Sequence, residues 1–410
     1  MMAKWLWKII LGYIFLYPFI PRPFLSEGVF KNLDLPNIAF LLLAGFYIFK
    51  KTSKPPKFTF IDGMISVFFL GLLTSFIFSN NFLNSLSELC KYLSLVSLFY
   101  IARISGRKNK NQLTFTLIIS ATLVSLYSLH CFFVGSQFAL EYLSNHKIHA
   151  PFAREFLTRN RAFSPFMLPS LLANYLIMII ILCLGAAIQK IKQNKRDFLL
   201  FLNLFCLSLC FLTLFFTKSL GGWIALAVSV FTFFILGKMC TKKAWLVIAL
   251  ILVCSTCLFF IRIQGNKDFT KPGFSVHKRI SYWKETATII GQHPLTGVGI
   301  GNFSLKETRY AHNSYLQIWA EIGLLGIISW LGIIFIFILK GIENLYKKEE
   351  SYYKLGIFSG GLAFLVHNLI DLSFFIPQAA FLWWIILGLT FLNGNEREFK
   401  DANLSDSIIV

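Results

Sequence analysis

Charge is what this sequence has least of. Asp, Glu, Lys and Arg make up 14% of its 410 residues, where a soluble domain carries roughly a quarter. Acidic residues are the scarcer sign, 19 against 39 basic ones, which leaves a net charge of +20. That excess does not point to nucleic acid, because the basic residues cluster at the ends of apolar runs. Other absences narrow the field further. No internal repeat is visible, whereas a transporter built from inverted halves is expected to show one. No small-residue cleavage site follows Met1-Met2-Ala3-Lys4-Trp5-Leu6-Trp7-Lys8; the apolar stretch ends in Pro18-Phe19-Ile20-Pro21-Arg22-Pro23, so it reads as a retained first helix and not a signal peptide. The eight cysteines lie mostly inside apolar runs, and the Cys254–Cys257 CxxC has no second pair near it. It reads as packing, not as a metal or redox site.

Apolar residues are what the chain has in quantity, 56% of the total. They form runs of about 18–22 residues, such as Ala244–Ile261, long enough to cross hydrocarbon as helices. A bilayer core offers the backbone no water, so unbroken runs of this length must be helical there. Twelve candidate spans lie near 3–20, 36–50, 58–79, 83–103, 112–134, 166–189, 198–217, 219–238, 244–262, 319–340, 355–374 and 377–393. The expected class is an all-α polytopic membrane protein, a single integral membrane domain over 1–410. Two long loops, 135–165 and 263–318, and a tail, 394–410, complete it.

Connections alternate in charge. One set holds Lys4, Lys8, Lys50, Lys51, Lys54, Lys57, Arg103, Arg107, Lys108, Lys110, Lys190, Lys192, Lys195 and Arg196. It continues with Lys238, Lys242, Lys243, Lys340, Lys347, Lys348, Lys354, Arg397 and Lys400. The short connections of the other set hold only Arg22, Lys31 and Lys218. The positive-inside rule then predicts both termini in the cytoplasm and both long loops outside.

The second long loop is dense with chemistry. Arg279-Ile280-Ser281-Tyr282-Trp283 opens a predicted amphipathic helix. His293-Pro294 and Gly297, Gly299, Gly301, Asn302 and Phe303 follow as a glycine-rich turn, where glycine permits left-handed angles or close approach of backbone amides to a ligand. The turn follows no strand of a βαβ unit, which argues against a dinucleotide site. Next come Arg309 and His312-Asn313; a helix already begun at Arg309 would put it on the face of His312. The first long loop contributes Arg154, Arg159 and Arg161, whose guanidinium groups suit a diphosphate or lipid headgroups. Inside the spans, Glu88 and Lys91 are spaced to pair on one helix face as a structural clamp. His367, Asn368 and Asp371 lie near the outer end of the eleventh span, where ionisable groups face an interior or a cavity.

His312-Asn313, nine residues, then Gly323-Leu324-Leu325-Gly326 resembles the H[NSQ]-x9-G-x-x-G signature of the O-antigen ligases, within the larger ligase and polymerase family of bacterial surface glycans. Arg279-x3-Trp283 and Pro294-x2-Gly297-x-Gly299-x-Gly301-Asn302-Phe303 are similar to that family's outer loop, in the same order. Two positions depart. Ile327-Ile328 stand where two threonines are usual. Leu220, in Thr217-Lys218-Ser219-Leu220, stands where the family carries an arginine. Lys218 is then either the substitute cation, without arginine's planar two-point grip, or a lysine snorkelling to the interface.

The resemblance implies an enzyme of a bacterial inner membrane with its site on the periplasmic face. It would transfer a glycan from undecaprenyl diphosphate to a lipid A–core hydroxyl, inverting the anomeric centre. Arg279 and His312 are the implied catalytic pair. Lys218, Arg154, Arg159, Arg161, Arg309, Asn313, Gly299, Gly301 and His367 are candidates for binding the donor. No DxD-like or histidine-rich cluster occurs in the loops, so no metal or other cofactor is expected. The same residues fit a polymerase joining carrier-linked repeat units, or a protein O-oligosaccharyltransferase. A polysaccharide flippase is the alternative of another class.

Overall fold

A computed structural model describes residues 2–20, 35–51, 58–148, 151–239, 241–264, 274–346 and 351–392. Arg22, Lys31, Lys54, Lys57, Lys347, Lys348, Arg397, Lys400 and the 394–410 tail lie outside them. The described residues contain helices and no strand. In chain order the helices are α1 (Met2–Leu16), α2 (Leu35–Lys51), α3 (Phe60–Ile77), α4 (Phe82–Arg103), α5 (Arg107–His130), α6 (Ser136–Asn145), α7 (Pro151–Thr158) and α8 (Pro169–Lys192). Then follow α9 (Phe198–Thr217), α10 (Leu220–Leu236), α11 (Lys242–Gln264), α12 (Phe274–Gln292), α13 (Ser314–Tyr346), α14 (Tyr352–His367) and α15 (Pro377–Thr390).

Each of the twelve apolar stretches overlaps a helix, though 355–374 runs past the end of α14 at His367 and 166–189 begins before α8 does. Among the described residues, six helical stretches are long and apolar enough to cross a membrane by length and composition: Phe60–Ile77, Phe82–Arg103, Lys108–Asn145, Pro169–Lys192, Phe198–Thr217 and Ser314–Tyr346. Leu220–Leu236 and Pro377–Thr390 are shorter apolar helices. The first long loop is itself largely helical, because a π-helical turn over Cys131–Gly135 carries α5 on into α6.

The core is built on α8 and α15. Every residue of α15 is buried, and so is most of α8. α8 packs chiefly on α14 and α9, α15 on α4, and α3 on α13. Small residues make the closest crossing possible: a Cβ on Gly185 of α8 would stand 2.8 Å from the Cα of Gly356 on α14, the backbone approach that packs helices where no hydrophobic effect drives them together. An aromatic cluster then fixes the α14–α15 connection. Trp330 lies 4.4 Å from Phe374, the rings tilted, and Phe364 stacks 5.2 Å from Trp383.

One end of the bundle is closed by an ion pair. Arg103 Nη1 donates to Asp62 Oδ1 at 2.6 Å, with Arg103 3% exposed. Asp62 Oδ2 caps α3 by accepting from Thr59 N at 2.8 Å and Thr59 Oγ1 at 2.6 Å. Arg103, counted among the flanking cations, is therefore a buried tie between α3 and α4. The other end of α3 carries the elements described next.

Candidate active site

The chain from Gln292 to Ser314 runs across this end of the bundle as a packed loop. The glycines at 297, 299 and 301 take positive φ values of 69, 96 and 75°, one of the two uses that glycine permits there. Their open sides, however, face the chain itself. A Cβ on Gly299 would lie 2.9 Å from Ser79 Cα, and one on Gly301 2.8 Å from Glu88 Cγ. The Gly301 amide donates to Glu321 Oε2 at 3.1 Å. Ser85 Oγ donates to Ile300 O at 2.6 Å, and Asn302 Nδ2 to Ser79 Oγ at 2.6 Å. α13 breaks at Gly323, with φ 76° and ψ −163°, a region essentially reserved for glycine. The break lets the Leu324 amide donate back to Leu295 O at 3.1 Å. The turn is thus a clasp between the loop and helices α3, α4 and α13.

The helix α13 begins at Ser314, not before Arg309. Asn313 Oδ1 accepts from the amides of Tyr315 and Leu316 at 3.0 and 3.1 Å, an N-cap that satisfies donors the helix leaves unpaired. Arg309 therefore lies at a bend in non-helical chain and shares no helix face with His312. It reaches Glu88 Oε1 at 3.7 Å instead. Glu88 also pairs with Lys91 as its spacing predicts, and Lys91 Nζ donates to Phe375 O at 3.3 Å.

His312 sits immediately before the cap at φ 53°. Its imidazole stacks on Tyr282 of α12, centroids 5.9 Å apart. One turn before Tyr282 on the same helix is Arg279. His312, Arg279, His367 and Asp371 act on one another electrostatically. Asp371 is the shared member. It is 1% exposed, as is His367, whose Nδ1 lies 3.8 Å from Asp371 Oδ1. Ser373 Oγ donates to Asp371 Oδ1 at 2.5 Å. The Asp371 backbone is fastened to α13, since Ser314 Oγ donates to Asp371 O at 3.0 Å and to Asn368 Oδ1 at 2.7 Å. Burial pushes the His312 pKa down; the Asp371 carboxylate opposes the shift and Arg279 adds to it. Burial likewise lowers Arg279, with Asp371 opposing. Three buried atoms of the cluster, His312 Nδ1, His367 Nδ1 and Asp371 Oδ2, have no hydrogen-bond partner among the described residues. Most buried polar atoms do, so these are where a ligand's polar groups have capacity to meet.

A second group of cations adjoins the first. Lys218 caps α9 at φ 51°, and its Nζ donates to Arg159 O at 3.0 Å. Arg161 Nε donates to Thr217 O at 2.9 Å. Burial lowers the Lys218 pKa, and Arg161 lowers it further. The start of α10 carries this group to the histidines: a Cβ on Gly221 would lie 3.5 Å from His367 Nε2. Arg154 is placed apart, with Nη2 donating to Leu143 O at 2.7 Å on α6. Asp371 was legible as a polar residue within an apolar run. Its joining to Arg279 was not, because nothing local links positions so far apart in the chain.

These features describe a helical membrane protein with cations and imidazoles gathered at one end of its bundle. Residues 205–331 match the family model of the O-antigen ligases. The matched segment contains Lys218, Arg279, Gly299, Gly301, Arg309, His312 and Asn313, so the resemblance carried by His312-Asn313 and Gly323–Gly326 extends from α9 into α13. His367 and Asp371 follow it, and Arg154, Arg159 and Arg161 precede it. No curated protein matches the chain.

Proposed function

We propose that the protein is an O-antigen ligase, transferring a glycan from undecaprenyl diphosphate to a hydroxyl of lipid A–core. The convergence of Arg279, His312, His367 and Asp371 is the observation that carries this reading. The donor must lose a diphosphate as negative charge develops, and the acceptor hydroxyl must lose a proton. His312 is the base: with its pKa lowered by burial, the imidazole is neutral near pH 7 and able to accept. Asp371 stabilises the imidazolium so formed. The acceptor oxygen attacks the anomeric carbon as its proton passes to His312. The bond to the diphosphate breaks with its electron pair on the leaving oxygen, and attack from the opposite face inverts the centre. Arg279 is placed to hold the diphosphate, with Lys218, Arg159 and Arg161 extending the positive surface. Arg309, Asn313, Gly299 and Gly301 act through the loop that carries His312, and Arg154 through the α6–α7 pair.

The charge alternation of the connections supports a bacterial inner membrane location with cytoplasmic termini and this site on the periplasmic face. His312→Ala is expected to abolish glycan attachment while the protein accumulates in the membrane, read from the lipopolysaccharide ladder of a complemented deletion strain. Full attachment by that variant removes the base. Core bearing a single repeat unit in the deletion strain would instead identify a polymerase. Units trapped on the cytoplasmic face would identify a flippase.

A further inference from the structure

His312 is held in a left-handed conformation, φ 53°, which is strained for a non-glycine residue. The backbone is therefore restrained on both sides of it. On the C-terminal side, Asn313 caps α13 and the Ser314 amide donates to Asn368 O at 3.0 Å. On the N-terminal side, the Ala311 amide donates to Gln317 Oε1 at 3.0 Å. An amide side chain presents oxygen on one side and nitrogen on the other, and only the oxygen can accept from Ala311. What fixes that choice is Glu321, one helical turn further on. Gln317 Nε2 donates to Glu321 Oε1 at 2.8 Å, while Glu321 Oε2 accepts from the Gly301 amide. Gln317 and Glu321 are 1% and 4% exposed.

We infer that Glu321 is a positioning residue for His312, acting through Gln317: its carboxylate orients the Gln317 amide, which pins Ala311 and so the imidazole beside it. The inference rests on His312 being the base. Two donors, Gln317 Nε2 and Gly301 N, converge on the two oxygens of one side chain. A carboxylate accepts at both; an amide in its place accepts at one and sets an NH2 against the other donor. The charged neighbours of Glu321 are Glu88 and Lys91, so a role in balancing their charge is the competing explanation. The two roles separate because the hydrogen-bond chain can be rebuilt with the charge moved. In the double variant Gln317→Glu/Glu321→Gln, the carboxylate at 317 accepts from Ala311 and from the amide nitrogen at 321. The oxygen of that amide accepts from Gly301.

The test is steady-state transfer by the full-length protein in nanodiscs, from undecaprenyl diphosphate-linked glycan to lipid A–core, with His312→Ala alongside. Glu321→Gln is expected to lower kcat roughly tenfold or more, as misplaced catalytic groups do, with KM for the donor unchanged. The double variant should recover most of the lost kcat. Should Glu321→Gln fail to accumulate, Gln317→Leu interrupts the same chain without touching the charge and should show the same fall in kcat. A wild-type kcat in Glu321→Gln or in Gln317→Leu overturns the inference. So does a double variant as slow as the single one. If His312→Ala itself remains active, the proposed base falls first, and the two failures are told apart.

Discussion

Two buried aspartates, at opposite ends of the bundle, are treated in opposite ways. Asp62 has both oxygens occupied, by Arg103 Nη1, the Tyr100 hydroxyl and two donors from Thr59. Asp371 is more deeply buried, but Ser373 engages one oxygen and the other has no hydrogen-bond partner among the described residues. Around Asp371 stand two histidines and an arginine at electrostatic range. A carboxylate whose bonds are complete ties helices together and has nothing left for a substrate. One whose bonds are incomplete pays a desolvation cost that only charge arriving beside it offsets. The first pattern is structural, and the second fits the site proposed above.

The largest expected difference comes from making the same change at both. Asp371→Asn keeps the shape and removes the charge, and is expected to lower kcat on the order of 10²-fold, the range of general acid–base contributions. Thermal stability should fall less than at Asp62, because Asp371 has one side-chain hydrogen bond to lose and no guanidinium bonded to it. Asp62→Asn should do the reverse: it leaves Arg103 buried without a counter-charge, at about 3–5 kcal/mol, with kcat per folded molecule unchanged. Melting curves and transfer rates on the two purified variants decide it. Equal losses of stability would erase the distinction between the two ends.

A smaller effect is expected at Lys218. If its ammonium serves the diphosphate, Lys218→Met should raise the donor KM about tenfold, the worth of one hydrogen bond to a charged group, at constant kcat. An unchanged KM would assign Lys218 to the Arg159 carbonyl alone, as a tie between the α7 and α9 ends.

The helices were legible because a long apolar run in a membrane protein needs no periodicity to declare itself; 198–217 coincides with α9 to the residue. Boundaries set by capping were less so. The span placed at 319–340 begins as helix at Ser314, because Asn313 and the polar Gln317 and Glu321 bury themselves in hydrogen bonds that a hydropathy reading cannot see. The condition for Arg309 to share a face with His312, a helix already begun there, fails for the same reason. In the site, His312 and Arg279 stood in a recognisable local pattern. The parts proposed for Asp371 and Glu321 rest on partners brought together by folding. The Gln317-x3-Glu321 spacing was the one available signal, since it puts both on a single face of the helix that His312 precedes.

The finest distinction is in the pH dependence, where the neighbours of His312 pull in opposite senses. A base works when neutral, so activity is full above the His312 pKa and falls as pH drops through it. Burial and Arg279 lower that pKa, and Asp371 raises it; the acid limb of kcat/KM in the unaltered protein should therefore lie below the ordinary histidine value of about 6.5. Removing the carboxylate in Asp371→Asn takes away the raising influence, and the limb should move to still lower pH. Arg279→Gln takes away a lowering influence, and the limb should move toward higher pH. Both shifts are read on residual activity, so the size of the rate loss does not obscure them. Opposite displacements would identify His312 as the titrating group, set by the two charges beside it. Limbs that move together, or not at all, would assign the titration to another group and leave Asp371 a structural carboxylate like Asp62.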